Sequence, residues 1–565
     1  MQLDNPQTFA GTPGKDWHLF IPKFVSAMRE GYSARDFRAD VFAGITVAVV
    51  ALPLSMALAI ASGVTPERGL FTAVVAGFII AALGGSRHQI GGPTGAFVVV
   101  VFNVVQQFGY DGLVVATIMA GAMLMMAGLL RLGTFIKYVP YPVVTGFTSG
   151  IAIIIFSSQV GDILGLKLSH VPGDVLGKWH AYFSGAATFN SAAFAIALSS
   201  LAIIILLRRY APRWPMFLIA IAAASIAALA LHLHVETIGS RFGGIPNMLP
   251  APHWPAFTLA ELRALLPSAV TIFVLGGVES LLSAVVADGM TGRRHRSNLE
   301  LVAQGIANIA SACMGGIPAT GAIARTATNI RSGAKTPVAG MVHSVSILAM
   351  MALLAPYAAY IPLAALGAVL VIVCWNMAEI GAFKNILTGP MGDRAVLIAT
   401  FALTVFVDLS VAIGVGMVMA AFLFMHRMAK AVEAETHMSL IERDVDEIAS
   451  PNMAAALREA LPAGVVSFKL SGPFFFGAAT HFEQVLGRTG GKPKVIILDM
   501  EGVPLIDSTG AATLRKFLES THARGIRVIL AATREGPAAV LDAMDIKAER
   551  VATFAEAVAM LGERR

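Results

Sequence analysis

The chain has 565 residues, of which 56% are hydrophobic and only 13% charged, with a net charge of +6. Apolar runs close to the ~20 residues that a spanning helix needs recur from Val41 to about Met425, which excludes a wholly soluble protein. The basic residues gather in the connections between those runs, a topology signal and not a nucleic-acid surface. The two cysteines, Cys313 and Cys374, sit in apolar segments and form neither a disulfide framework nor a metal cluster.

Residues 1–40 are polar and mixed, without the apolar core of a signal peptide, and are expected to form a cytoplasmic N-terminal segment. The transmembrane domain is expected over 41–426. Its spans are 41–62, 69–84, 93–108, 112–132, 141–161, 189–207, 214–233, 265–287, 299–314, 318–330, 337–355, 360–376, 395–408 and 410–426. Fourteen spans make seven per half. An odd number puts the second half into the membrane upside down, so the expected fold is an α-helical polytopic membrane protein built as a seven-plus-seven inverted repeat.

Loop charge supports that count. With the N-terminus cytoplasmic, the inner loops hold Arg87, Arg131, Lys137, Arg208, Arg209, Arg213, Arg293, Arg294, Arg296, Arg331, Lys335, Lys384 and Arg394. The outer loops hold only Arg68, Lys167, Lys178, Arg241 and Arg263. An even span count returns the C-terminus to the cytoplasm.

Beyond the spans, residues 427–462 mix both charge signs and read as a linker with helix. Residues 463–565 then alternate strand and helix patterns. Strands are expected at Val465 to Leu470, Val495 to Met500 and Arg527 to Ala531, and helices near 478–487, 509–524 and 536–543. That alternation predicts a small α/β domain.

Two segments break the membrane helices in matching places. One is Gly91-Gly92-Pro93-Thr94-Gly95-Ala96, and the other is Gly315-Gly316-Ile317-Pro318-Ala319-Thr320-Gly321-Ala322. Glycine and proline release backbone groups from the helical ladder. Within a bilayer that is tolerated only where the backbone is buried in protein or lines a watery cavity. Paired interruptions point to a transporter's binding site, and half-helix N-termini favour an anion. Thr94, Gly95, Ala96 and Phe97 on one side, with Thr320, Gly321 and Ala322 on the other, are therefore the candidate substrate-binding set. The competing reading is helix packing through small residues.

Glu279 is the only charge between Ala264 and Ala287. An intramembrane carboxylate is costly and is a functional candidate by default; taken out of water it can exchange a proton. It is the candidate for proton coupling, against a purely structural acid. Arg325, just inside the tenth span, suits an anion; an ion pair with Glu279 or snorkelling are the alternatives. Asp288, Asn329 and Asp408 lie near span ends and read as caps or contacts, and His343 as a packing histidine. No motif for ATP or for an enzyme is present, which disfavours a pump and catalysis.

The membrane part resembles the SulP sulfate-permease family through Gly91 to Phe97, through Val278-Glu279-Ser280-Leu281-Leu282-Ser283-Ala284-Val285-Val286-Ala287-Asp288, and through Pro318 to Asn329. The C-terminal part resembles a STAS domain, through Leu498-Asp499-Met500-Glu501-Gly502-Val503-Pro504 and Ile506-Asp507-Ser508-Thr509-Gly510. Thr320 to Ala327 looks most like a bacterial branch that includes a C4-dicarboxylate transporter.

The resemblance implies a core and a gate domain, a homodimer in the bacterial-type inner (plasma) membrane with both termini cytoplasmic, and an anion substrate with a coupling ion. No cofactor is expected, since the sequence shows no nucleotide motif and no metal cluster. The resemblance matches Arg325 to an anion-holding arginine. Bicarbonate-transporting relatives have Asp with hydroxyl neighbours for sodium; here Glu279 and Ser283 remain, but Ile323 stands where an oxygen ligand is expected, which favours a proton. Thr509 matches a hydroxyl phosphorylated in stand-alone STAS regulators, so a cytoplasmic regulator is a candidate partner; plain N-capping by Asp507 or Ser508 is the alternative.

The expected function is secondary active anion transport by proton symport, of sulfate or a similar small oxyanion or dicarboxylate. The alternatives are sodium-coupled bicarbonate transport and an uncoupled anion channel or exchanger.

Overall fold

A computed structural model describes residues 20–136, 140–168, 171–212, 214–435, 465–474 and 493–562. Residues 1–19, the expected helix near 478–487 and 436–462 of the expected linker lie outside the described residues, as do Lys137 and Arg213. The chain divides into two compact units, Met1–Val418 and Met419–Arg565.

The first unit opens with α1 (Lys23–Arg29), α2 (Ala34–Ala61) and α3 (Pro66–Leu83). Ser33 and Asp36 form a reciprocal capping box that fixes the start of α2. After β1 (Gly91–Gly92), α4 (Gly95–Leu129) carries both the third and the fourth expected spans in one 35-residue element. The two are divided at Gly109, whose φ of 70° is a conformation only glycine adopts at no cost.

Next come α5 (Gly133–Ile136), α6 (Tyr141–Leu164), α7 (Val175–Ser184), α8 (Ser191–Tyr210), α9 (Met216–Ala230) and α10 (Ile238–Phe242). The second half holds α11 (Leu259–Thr291), α12 (Ser297–Cys313), β2 (Thr320–Gly321), α13 (Ile323–Arg331), α14 (Val338–Ala358), α15 (Leu363–Met377), α16 (Ile380–Leu387), α17 (Met391–Phe406) and α18 (Leu409–Glu435). A helix thus stands at each of the fourteen expected positions. Among the described residues, nine are long and apolar enough to cross a bilayer by length and composition. The shortfall has two sources: α4 counts once for two spans, and α9, α12, α13 and α17 are short, with 15, 17, 9 and 16 residues, α13 because the second motif delays its start.

Packing sorts these helices into two bundles. In one, α12 and α11 lie along α4, and α14 lies along α2 and α3; in the other, α6 packs on α15 and α17, and α8 on α9 and α15. Tight core contacts depend on missing side chains: a Cβ on Gly305 would sit 2.5 Å from the Gly121 carbonyl oxygen. The two broken motifs meet where β1 and β2 pair antiparallel, Gly91 opposite Gly321 and Gly92 opposite Thr320.

The second unit contains a parallel four-stranded sheet in the order β3 (Val465–Ser471), β4 (Val495–Gly502), β5 (Arg527–Ala531), β6 (Glu549–Val551). Its helices are α19 (Ser508–Ala523), α20 (Glu535–Ala543) and α21 (Phe554–Gly562). Alternate residues of β4 face opposite layers. Leu498 and Met500 pack with Leu514 and Leu541, whereas Ile497 packs with Ile529 and Ala557.

Candidate functional site

The β1–β2 pair aligns two helix N-termini. α4 starts after Thr94 and α13 after Ala322, and neither has a side-chain cap. The amides of Gly95, Ala96, Ile323 and Ala324 have no acceptor among the described residues. Four unsatisfied N–H groups and two dipole ends form an electropositive spot where the motifs converge. Thr94, Gly95, Ile323 and Ala324 are solvent-accessible there, with Ile323 40% exposed.

Glu279 joins this spot from α11. The Thr94 hydroxyl donates to Glu279 Oε2 at 2.9 Å, so the residue that would cap α4 instead holds the carboxylate. Glu279 is half-buried, and no ion pair links it to Arg325 among the described residues.

Arg325 is 3% exposed. Its Nη2 donates to the Pro93 carbonyl, whereas Nε and Nη1 are buried without a partner. The guanidinium lies behind β1, since a Cβ on Gly92 would meet Arg325 Nη1 at 2.5 Å. Its charge therefore reaches the convergence through the Pro93 peptide and the strand, not by a side chain extended into open space.

The other sequence-predicted residues divide between lining and scaffold. Ala96 and Phe97 are buried, and the Phe97 ring packs toward Gly276. Thr320 is fully buried. Its hydroxyl is 2.6 Å from that of Ser280 and donates to the Gly276 carbonyl at 3.1 Å. Ser280 also accepts from the Gly321 amide at 3.3 Å, fastening β2 to α11.

Ser283 donates to the Thr326 hydroxyl at 3.1 Å and not to Glu279; Thr326 in turn accepts the Ile90 amide at 3.0 Å. A Cβ on Gly321 would fall 1.7 Å from Gln89 Nε2, so Gly321 is filled from behind by Gln89. On Gly95 it would meet Met377 Sδ at 2.8 Å and Ile155 Cδ1 at 3.6 Å, both from the other bundle.

Sequence reasoning passed over Gln89 and Ser280. Gln89 is 3% exposed and both atoms of its amide lack partners, a signal that a polar residue beside a Gly-Gly-Pro break could have given. Asn329 donates to the His88 carbonyl at 2.9 Å, and Asp408 accepts the Ser410 amide at 2.7 Å as a cap. His343 is fully buried. In the second unit Asp507 accepts the Gly510 amide at 2.6 Å and caps α19, which leaves Thr509 exposed in the first turn. Among the described residues no group of acids, histidines and cysteines could hold a metal.

Two broken helix starts with free amides joined by a paired strand, an acid bonded beside the first and a C-terminal α/β domain define the class: an integral membrane anion transporter with a C-terminal α/β domain. The chain belongs to the sulfate permease family, whose model matches residues 37–400, and a STAS domain matches residues 460–559. The putative sulfate transporter YvdB of Bacillus subtilis (strain 168) is 40% identical over 91% of this chain and 94% of its own length. The bicarbonate transporter BicA of Synechocystis sp. is 32% identical over 88% of each chain.

The solved transmembrane domain of a cyanobacterial BicA is 33% identical, with a TM-score of 0.62 over 68% of this chain and 98% of that one. Murine Solute Carrier 26 family member A9 in its inward-facing state shares the fold, with a TM-score of 0.84 at 17% identity over 99% and 97% of the two chains. The family consists of transporters and not enzymes.

Proposed function

We propose that the chain is a secondary active symporter that moves sulfate, or a similar small oxyanion or C4-dicarboxylate, together with a proton. The observation that carries this reading is the Thr94–Glu279 contact at 2.9 Å. It sets the one acid of its span at the open start of the first half-helix, while the next residue, Ser280, bonds the strand that leads into the second. A bound anion and a protonated carboxylate are mutually favourable there, whereas an anion beside an ionised Glu279 is opposed by like charge.

Sodium coupling has less support. Ser283 is engaged with Thr326, and Ile323 offers no oxygen. Bicarbonate as substrate has the similarity to the bicarbonate transporter BicA in its favour. The substrate set is Thr94, Gly95, Ala96, Phe97, Thr320, Gly321, Ala322 and Arg325, with Phe97 and Thr320 as its scaffold.

The protein works in this reading as a homodimer in the plasma membrane, both termini cytoplasmic as the loop charges indicate. The transport domain ends near residue 426, and the STAS-like domain starts near 463 and takes a cytoplasmic regulator at exposed Thr509. Uptake of labelled sulfate, succinate and bicarbonate into proteoliposomes, each under a proton or a sodium gradient, tests the proposal. Accumulation that follows sodium and ignores the proton gradient overturns it.

A further inference from the structure

We propose that a cavity of about 810 Å³, between the ends of α2 and α6, the stretch of α4 before Gly109 and the short helix α7, captures a small hydrated anion, with the Lys178 ammonium as its main ligand. The inference rests on the transport function and orientation proposed above, which make this the outer face.

α7 is a ten-residue helix capped by Asp174, and it buries Val175, Lys178 and Tyr182 on one side. Lys178 is 3% exposed, yet among the described residues its Nζ has no hydrogen-bond or ion-pair partner. It lies 4.9 Å from the centroid of the Phe102 ring. A cation–π contact contributes about 0.5–2 kcal/mol, less than the several kcal/mol that burying an ammonium costs.

The surrounding carboxylates are already committed. Asp162 pairs with Arg241 at 2.9 Å, Glu236 also pairs with Arg241, and Asp174 accepts the Gly177 amide at 2.6 Å. Burial pulls the Lys178 ammonium below its usual range, with Asp174 opposing. An anion in the cavity supplies the missing counter-charge, and Gln106, Ser158 and Gln159 on the walls offer polar contacts to its hydration shell.

Position gives the cavity a role. Phe102 lies two turns along α4 from Gly95, about 10 Å at the helical rise, and Gln159 lies one turn along α6 from Ile155. Ile155 and Met377 close on Gly95, so the cavity stands on the far side of that contact from the half-helix site. A cleft with unpaired positive charge raises the local anion concentration and so the rate of capture.

The test uses the full chain in proteoliposomes, titrated with sodium sulfate at constant ionic strength while tryptophan fluorescence is followed. Trp179 adjoins Lys178 and donates to Ser157 Oγ at 3.2 Å, and Trp179→Phe identifies its signal. Saturable change is expected, weakened about tenfold in Lys178→Met and largely kept in Lys178→Arg. Gln106→Glu, at an exposed wall position, supplies an internal carboxylate and is expected to weaken sulfate binding about as much without threatening the fold.

Uptake from the outer side should show a raised KM with little change in kcat in Lys178→Met. An unchanged titration in folded Lys178→Met, or in Gln106→Glu, overturns the proposal. A wild-type chain that transports no small anion but still binds sulfate through Lys178 sinks the transport reading and leaves this site standing.

Discussion

Glu279→Gln separates coupling from structure. The amide keeps the shape of the acid, and its carbonyl can still accept the Thr94 hydroxyl now 2.9 Å from Glu279 Oε2, so folding should change by less than about 1 kcal/mol. What disappears is the proton site. One proton carried with each anion down a pH difference of one unit supplies about 1.36 kcal/mol, or about tenfold accumulation when the voltage is clamped at zero. The assay loads proteoliposomes with buffered potassium and valinomycin, imposes an acid exterior and follows labelled substrate to steady state. Wild type should reach that ratio. Glu279→Gln should stop near one while still exchanging labelled for unlabelled anion. If the variant reaches the wild-type ratio, Glu279 is not the coupling group and the proton path lies elsewhere.

Accessibility tests the shared cavity. After Cys313 and Cys374 are replaced, cysteines at Thr94 and Ile323 should react with a small thiol reagent and be protected by substrate. A cysteine at Thr320, which is fully buried, should stay unreactive. Protection at only one of the two accessible sites would break the shared cavity. Gly321→Ala should destabilise the protein by about 1–3 kcal/mol through overpacking against Gln89, and Gln89→Ala in the same chain should restore much of that; additive melting-temperature losses would refute the contact. Arg325→Ala should weaken apparent anion affinity, with Arg325→Lys recovering only part because a point charge lacks the planar fork; unchanged affinity in a folded variant would reduce Arg325 to a strut for Pro93. In the second unit, Asp507→Ala should cost about 0.5–2 kcal/mol of stability through loss of the α19 cap, and a denaturant midpoint equal to wild type would place the capping elsewhere.

The spans were legible because each needs a long apolar run that nothing else in the sequence imitates. The half-helix motifs were legible because Gly and Pro in such runs have few other uses. The short helices α1, α5, α7, α10 and α16 went unread: four to ten residues of mixed character carry too little periodicity to separate them from loop. The division of labour inside the motifs was hidden for another reason. Whether Thr94 caps its helix or reaches Glu279, and whether Thr320 lines the cavity or bonds to Ser280, depends on which face of each half-helix meets α11. That is set by partners 185 and 40 residues away in the chain. Arg325 likewise reads as a cavity arginine from its place in the span, but the antiparallel pairing of Gly92 with Thr320 puts its fork behind the strand.

The two half-helices are therefore related in backbone and distinct in chemistry. Both leave amides free at a broken start, which is what an anion needs from them. Only the first spends its hydroxyl on Glu279. The second has Ala322 as its N-cap and uses Thr320 and Ser280 to pin its strand to α11, the helix that also carries Glu279. Glu279 is thus fixed through its own helix to one half-site and through a hydroxyl to the other. An anion that draws the two N-termini together acts on both attachments of the carboxylate at once. In the proposed symport, this geometry is the route by which protonation would follow anion occupancy without any direct bond between Glu279 and Arg325.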